Sequence, residues 1–211
     1  MPNWCSNTYA FYTKDEDKRE LQKLHKKLLA ILDVKSETKN DFEPGWLGKV
    51  ASHHGLDWEK IPCRGHIELI DEYDGECSFF KIYTETAWCP TEELWEAVIS
   101  QYEGVSLVYT AEEPGCEIYV NTDACGTYLV DKYLIEVCGD APIPKSWFPN
   151  KEKPKCLEIR EYFSSLENTL DYCSKFTGEE FNGISELKDY FAKTFSERCD
   201  VIACVHEFSS E

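Results

Sequence analysis

Residues 5–13, CSNTYAFYT, alternate aromatic with polar positions, the two-residue period of a strand. The period then changes. In KDEDKRELQKLHKKLLAIL, Leu21, Leu24, Leu28, Leu29 and Leu32 recur at helical spacing and give one apolar stripe on a charged helix. The pattern weakens from Lys35 to Cys63, where Pro44-Gly45, Gly48 and Gly55 predict an inserted loop around a short helical turn at 46–52. Phe42, Trp46 and Trp58 are expected to pin that insertion to the core. HIELIDEY and CSFFKIYTETAW then flank Asp74-Gly75, a hairpin signal. After Pro90, Leu94, Trp95, Val98, Ile99 and Tyr102 form a second helical stripe, with Glu92 and Glu93 in the first turn, where the helix dipole favours anions. VSLVYTAEEPGCEIYVNTD reads as a strand pair and GTYLVDKYLIEVC as a further strand.

The order β-α-β-β-α-β with an extra hairpin is the split βαβ pattern of an α+β, ferredoxin-like antiparallel sheet. Its expected span is residues 1–140, with the insertion at about 35–64. GDAPIPKSWFPNKEKP carries four prolines and no periodicity, so residues 141–155 read as a linker. Beyond it, CLEIREYF, helices at about 166–176 and 186–195, and CDVIACVHEF predict a β-α-α-β extension over 156–211. Ser164 and Glu167 have capping-box spacing.

Charge changes the picture most. The 211 residues carry a formal net charge of -18, yet 42% apolar and 14% aromatic residues are too many for a disordered acidic chain. The charge is concentrated: residues 66–140 hold seventeen acidic side chains against Lys81 and Lys132, a net of -15. Such a field repels nucleic acid and anionic membranes and attracts a basic protein surface or cations. MPNWCSNTYAFYT has no basic region followed by an apolar core, so a cytoplasmic location is expected. With no export signal, the eleven cysteines read as mostly reduced, buried, small apolar residues.

Four groups of side chains are candidates for chemistry. In EEPGC, Pro114 and Gly115 suit a type II turn, and Glu112 and Glu113, as strand neighbours, should point to opposite faces rather than converge as an acid/base pair. A zinc site is conceivable from His53, His54, Cys63 and His66, the last two at C-x2-H spacing, since soft sulfur and imidazole nitrogen complete tetrahedral sites. Cys204 and His206 share one strand face, the minimum for a thiolate–imidazole couple, in a segment apolar enough to be core. Trp4, Trp46, Trp58 and Trp95 read as core, and Trp88, at a strand end beside Pro90, reads as a partner anchor.

MPNWCSN, WLGKVASHHGLDWEKIPCRG, TETAWCP and AEEPG, in that order, resemble the YubB-type ferredoxin-like domain family of plasmids, phages and genomic islands. The resemblance covers about residues 1–140. It implies the architecture and a mobile-element origin, and it supplies no catalytic residue. No cysteine run of the iron–sulfur type occurs. The expected function is therefore that of a non-enzymatic accessory protein, a monomer or weak dimer, that binds a basic protein surface through Trp88, Glu92, Glu93, Glu112 and Glu113. One alternative is a nucleic-acid mimic that inhibits a host defence nuclease, and another is a zinc-dependent enzyme centred on the histidine–cysteine set.

Overall fold

The computed structural model describes residues 3–33, 45–139, 157–195 and 201–210. The expectations for Phe42 and for the 141–155 linker lie outside those residues. The fold is mixed α and β with two antiparallel sheets, one of five strands and one of three. It divides into two compact units, the first running to Leu129 and the second from Val130 to Ser209.

In the first unit, β1 (Trp4–Thr13) is the central strand. It pairs antiparallel with β3 (Phe79–Ala87) on one side and with β4 (Val105–Glu113) on the other. β2 (Gly65–Ile70) extends the sheet beyond β3, and β5 (Ile118–Asn121) extends it beyond β4, giving the order β2-β3-β1-β4-β5. Three helices, α1 (Arg19–Asp33), α2 (Leu47–His53) and α3 (Glu92–Ile99), bury their apolar sides in one cluster against one face. Tyr9, Phe11, Phe80 and Trp95 are its aromatic centre, with adjacent ring centroids 5.3–5.4 Å apart.

The α1 stripe is Leu21, Leu24, Leu28 and Ile31, each burial worth roughly 1.5–3 kcal/mol. Leu29, expected on that stripe, is exposed, because one residue past Leu28 is a turn of about 100° away from the core. Gly65 has no room for a side chain: a Cβ there would strike the Glu85 carbonyl on β3.

Two turns depart from expectation for electrostatic reasons. Residues 114–116 form a 3-10 turn rather than a type II turn, since the Glu113 carboxylate accepts the Gly115 N–H at 3.0 Å and holds that residue in a helical conformation. The left-handed position falls instead on Glu117, at φ 56. Between β2 and β3 the hairpin connection is residues 71–78, longer than a two-residue turn, with Gly75 at φ 88 and the Asp74 carboxylate accepting the Glu76 N–H at 2.8 Å.

In the second unit β6 (Tyr133–Gly139) lies between β7 (Leu157–Phe163) and β8 (Val201–Glu207). The further strand expected within residues 1–140 therefore belongs to the three-stranded sheet. α4 (Leu166–Thr177) and α5 (Ile184–Phe195) help bury Ile135, Val137, Cys173, Leu187, Phe191 and Val205. The α4 cap is Ser165, which accepts the Asn168 N–H at 3.2 Å, one residue later than the capping box predicts.

Candidate functional site

The four sequence motifs, far apart in the chain, meet at one end of the five-stranded sheet. Strand register does this. Trp4 and Cys5 lie opposite Ala87 and Thr86, Gly65 lies opposite Thr86, and Ser6 lies opposite both Glu85 and Glu112. The Trp88 N–H donates to the Asn3 carbonyl at 2.9 Å, and the Ala87 N–H to the Arg64 carbonyl at 2.9 Å. The Asn3 amide occupies the space where a Cβ on Gly115 would sit.

On the helix-covered face this end is polar where a sheet interior is ordinarily apolar. Asn7, 3% exposed, donates from its side chain to the Cys5 carbonyl at 2.9 Å and the Thr86 hydroxyl at 2.8 Å, and it reaches Thr84 at 3.3 Å. The Cys5 thiol donates back to Asn7 Oδ1 at 3.2 Å, and Thr86 donates to the Cys89 carbonyl at 2.7 Å. Burial pushes the Cys5 thiol up to about 12, which makes it a structural hydrogen-bond donor and not a nucleophile. Glu113, also buried, is held below its ordinary value chiefly by the Cys116 thiol, with the Gly115 and Cys116 amides and Asn3 adding to it against the opposing effect of burial. Glu112 projects to the other face, so the two neighbouring carboxylates do not converge.

The same end carries two exposed indoles, Trp4, 44% exposed, on the open face, and Trp88, 46% exposed and at φ 76, just past the end of β3. A left-handed conformation is strained for a bulky side chain. The Asn3 hydrogen bond and the Thr86–Cys89 hydrogen bond on either side of it hold the loop in that shape. Trp4, expected in the core, stacks edge-on against His66 at 5.7 Å. Glu92 and Glu93 are exposed in the first turn of α3, where Glu92 accepts from the Tyr109 hydroxyl at 3.2 Å. Burial first, then the Glu92 charge and its hydrogen bond, push the Tyr109 hydroxyl up to about 12.

The proposed zinc set is not brought together. His53 is exposed, whereas His54 is buried with both ring nitrogens engaged, Nδ1 to the Val50 carbonyl at 2.7 Å and Nε2 to the Tyr102 hydroxyl at 3.1 Å. The Cys63 thiol donates to the Trp58 carbonyl at 3.4 Å, and burial raises its pKa. His66 instead meets Glu68, with Nε2 to Oε1 at 2.5 Å, and lies near Glu85. Sequence spacing missed Glu85 because only strand pairing places it opposite His66.

Cys204 and His206 share the face of the three-stranded sheet that also carries Glu136, with Cys204 directly opposite Glu136. This pair is half-buried on that face rather than in the core. Burial first and the Glu136 carboxylate second raise the Cys204 pKa, the reverse of what a thiolate nucleophile requires. No described helix is long and apolar enough to cross a membrane. No family model, curated protein or solved structure matches the chain.

Proposed function

We propose that this chain is a non-enzymatic binding protein of a mobile genetic element, and that the convergent end of its five-stranded sheet engages a basic protein surface. The observation that carries this reading is that one end of the sheet carries two exposed indoles, Trp4 and Trp88, together with carboxylates: Glu85 and Glu112 lie opposite Ser6 on the open face that Trp4 shares, and Glu92 and Glu93 are exposed at the start of α3, four and five residues after Trp88. An indole face attracts Arg and Lys by its quadrupole, and carboxylates add charge-assisted hydrogen bonds. Supporting it, Glu72, Asp74, Glu76, Glu93, Glu96, Glu103 and Glu117 are exposed and form no salt bridge among the described residues. Their field steers a cationic partner toward the unit and repels nucleic acid.

The architecture belongs to the same reading. The order β2-β3-β1-β4, with α1 and α3 connecting non-neighbouring strands, is what a ferredoxin-like sheet requires, and β5 adds the extra hairpin strand. The mobile-element origin rests on the four motifs that resemble the YubB-type family.

Tryptophan fluorescence titrated with an arginine-rich peptide at low and at physiological salt tests the binding. Saturable quenching that weakens with salt and is lost in Trp4→Ala and Trp88→Ala is expected. Quenching that survives both substitutions would show that the peptide merely condenses on acidic surface, and would remove the assignment of this end of the sheet.

A further inference from the structure

We infer that His66, Glu68 and Glu85 form a binding site for a divalent first-row transition-metal ion on the open face of the five-stranded sheet, a set that shares only His66 with the one chain spacing suggests and only Glu85 with the proposed partner surface. One ligand atom from each of the three side chains lies within 4.8 Å of the others. Two features of the sheet bring this about. His66 and Glu85 are directly opposed across β2 and β3, which puts both side chains on one face. Between Ile67 and Leu69 the β2 register slips, leaving Glu68 as the extra residue of a bulge, free of a cross-strand partner and turned beside His66.

The donor chemistry fits such an ion. One imidazole nitrogen and two carboxylate oxygens suit zinc, manganese or ferrous iron rather than calcium, which takes oxygen ligands alone. The ring is already oriented by the edge contact with Trp4, a constraint of the kind outer-shell groups impose on metal-ligating histidines. His66 is 39% and Glu68 50% exposed, so the fourth and later positions open to water. The 2.5 Å contact between His66 Nε2 and Glu68 Oε1 must widen to about 3.4 Å to place both atoms on one ion at tetrahedral metal–ligand lengths. A rotation of the half-exposed Glu68 side chain supplies that opening.

The test uses the full chain without a histidine tag and Mn2+ as the probe, because the exposed thiols of Cys77, Cys89, Cys116, Cys125 and Cys138 compete for zinc. Free Mn2+ is counted by electron paramagnetic resonance at physiological ionic strength, and the ring protons of the five histidines are followed by NMR. The expected result is one saturable equivalent, selective broadening of the His66 ring, and affinity at least about tenfold weaker in His66→Ala and Glu85→Gln. Glu16→Gln, an exposed carboxylate beyond the far end of β1 and outside both the set and the partner surface, should leave affinity unchanged. Since an ion that binds only the folded chain raises its melting temperature, Mn2+ should raise that of the wild type and not that of His66→Ala, a comparison internal to each variant. Broadening spread over all histidines, or equal affinity in wild type, His66→Ala and Glu85→Gln, would reduce the cluster to ordinary acidic surface and overturn the inference.

Discussion

Replacing Asn7 by alanine tests whether the polar end of the sheet is held as tightly as its geometry implies. The side-chain amide makes two short hydrogen bonds, to the Cys5 carbonyl at 2.9 Å and to Thr86 Oγ1 at 2.8 Å, while the contacts to Thr84 at 3.3 and 3.4 Å are weak. Each short bond contributes about 1 kcal/mol net. The Cys5 thiol loses its acceptor as well, and at full burial a stranded donor costs more than the bond was worth. The sum is about 2–4 kcal/mol, a large share of an ordinary domain's stability of about 5–15 kcal/mol, yet small enough to leave the unit folded. With a urea m-value of about 2 kcal/mol/M, the midpoint falls by about 1–2 M. The assay is urea unfolding followed by intrinsic tryptophan fluorescence, whose six indoles include Trp95, fully buried in the same unit. A midpoint shift below about 0.3 M would mean that the network is slack or hydrated, and the account of this end as a rigid platform would fail.

Three further outcomes are expected. The Glu113 carboxyl is held below its ordinary 4.5, so the stability it contributes is complete above that pH and is lost as pH falls through its folded value. Melting temperatures of wild type and Glu113→Gln should therefore differ by a constant amount above about pH 5 and converge on acidification, and a pH-independent gap would contradict the shift. Trp88→Gly removes a left-handed strain at φ 76 and should raise stability by about 0.5–1 kcal/mol in a thermal melt while weakening peptide quenching; a loss of stability would show that the indole packs more than its exposure suggests. Sodium chloride raised from low concentration to about 0.15 M, where the screening length is about 8 Å, should raise the melting temperature, because the acidic middle of the chain repels itself; a flat midpoint would indicate neutralised carboxylates.

Local periodicity made the helices and most strands legible. The α3 stripe of Leu94, Trp95 and Val98 is buried as its spacing requires, and the α1 reading errs in including the exposed Leu29 and leaving out the buried Ile31. What spacing could not reveal was pairing. The strand at Tyr133–Gly139 has the same apolar alternation whichever sheet receives it, and its partners, β7 and β8, are distant in sequence. The site followed the same logic. Trp88 and the neighbouring glutamates stood out as a strand end and a first helical turn, whereas the His66–Glu85 contact depends on which strands neighbour each other. The buried polar role of Asn7 left no mark, since a strand of alternating pattern looks alike with an asparagine on either face. The type II turn failed for a local reason, a side-chain acceptor two residues upstream of Gly115 that propensity rules leave out.

The centre of the first sheet is also its earliest strand in the chain. β1 must wait for residues 79–87 and 105–113 before either flank can be paired, so the loops closed on docking are long and the sheet cannot nucleate around its own middle during synthesis. Until about 113 residues have emerged, Tyr9 and Phe11 travel on a strand with two open edges, the state most prone to mispairing with another chain. The amphipathic α1, next in sequence, is the nearest apolar surface that β1 can meet in that interval. Folding of this unit is therefore expected to be slow and late, set by the arrival of β4 rather than by the helices that form first.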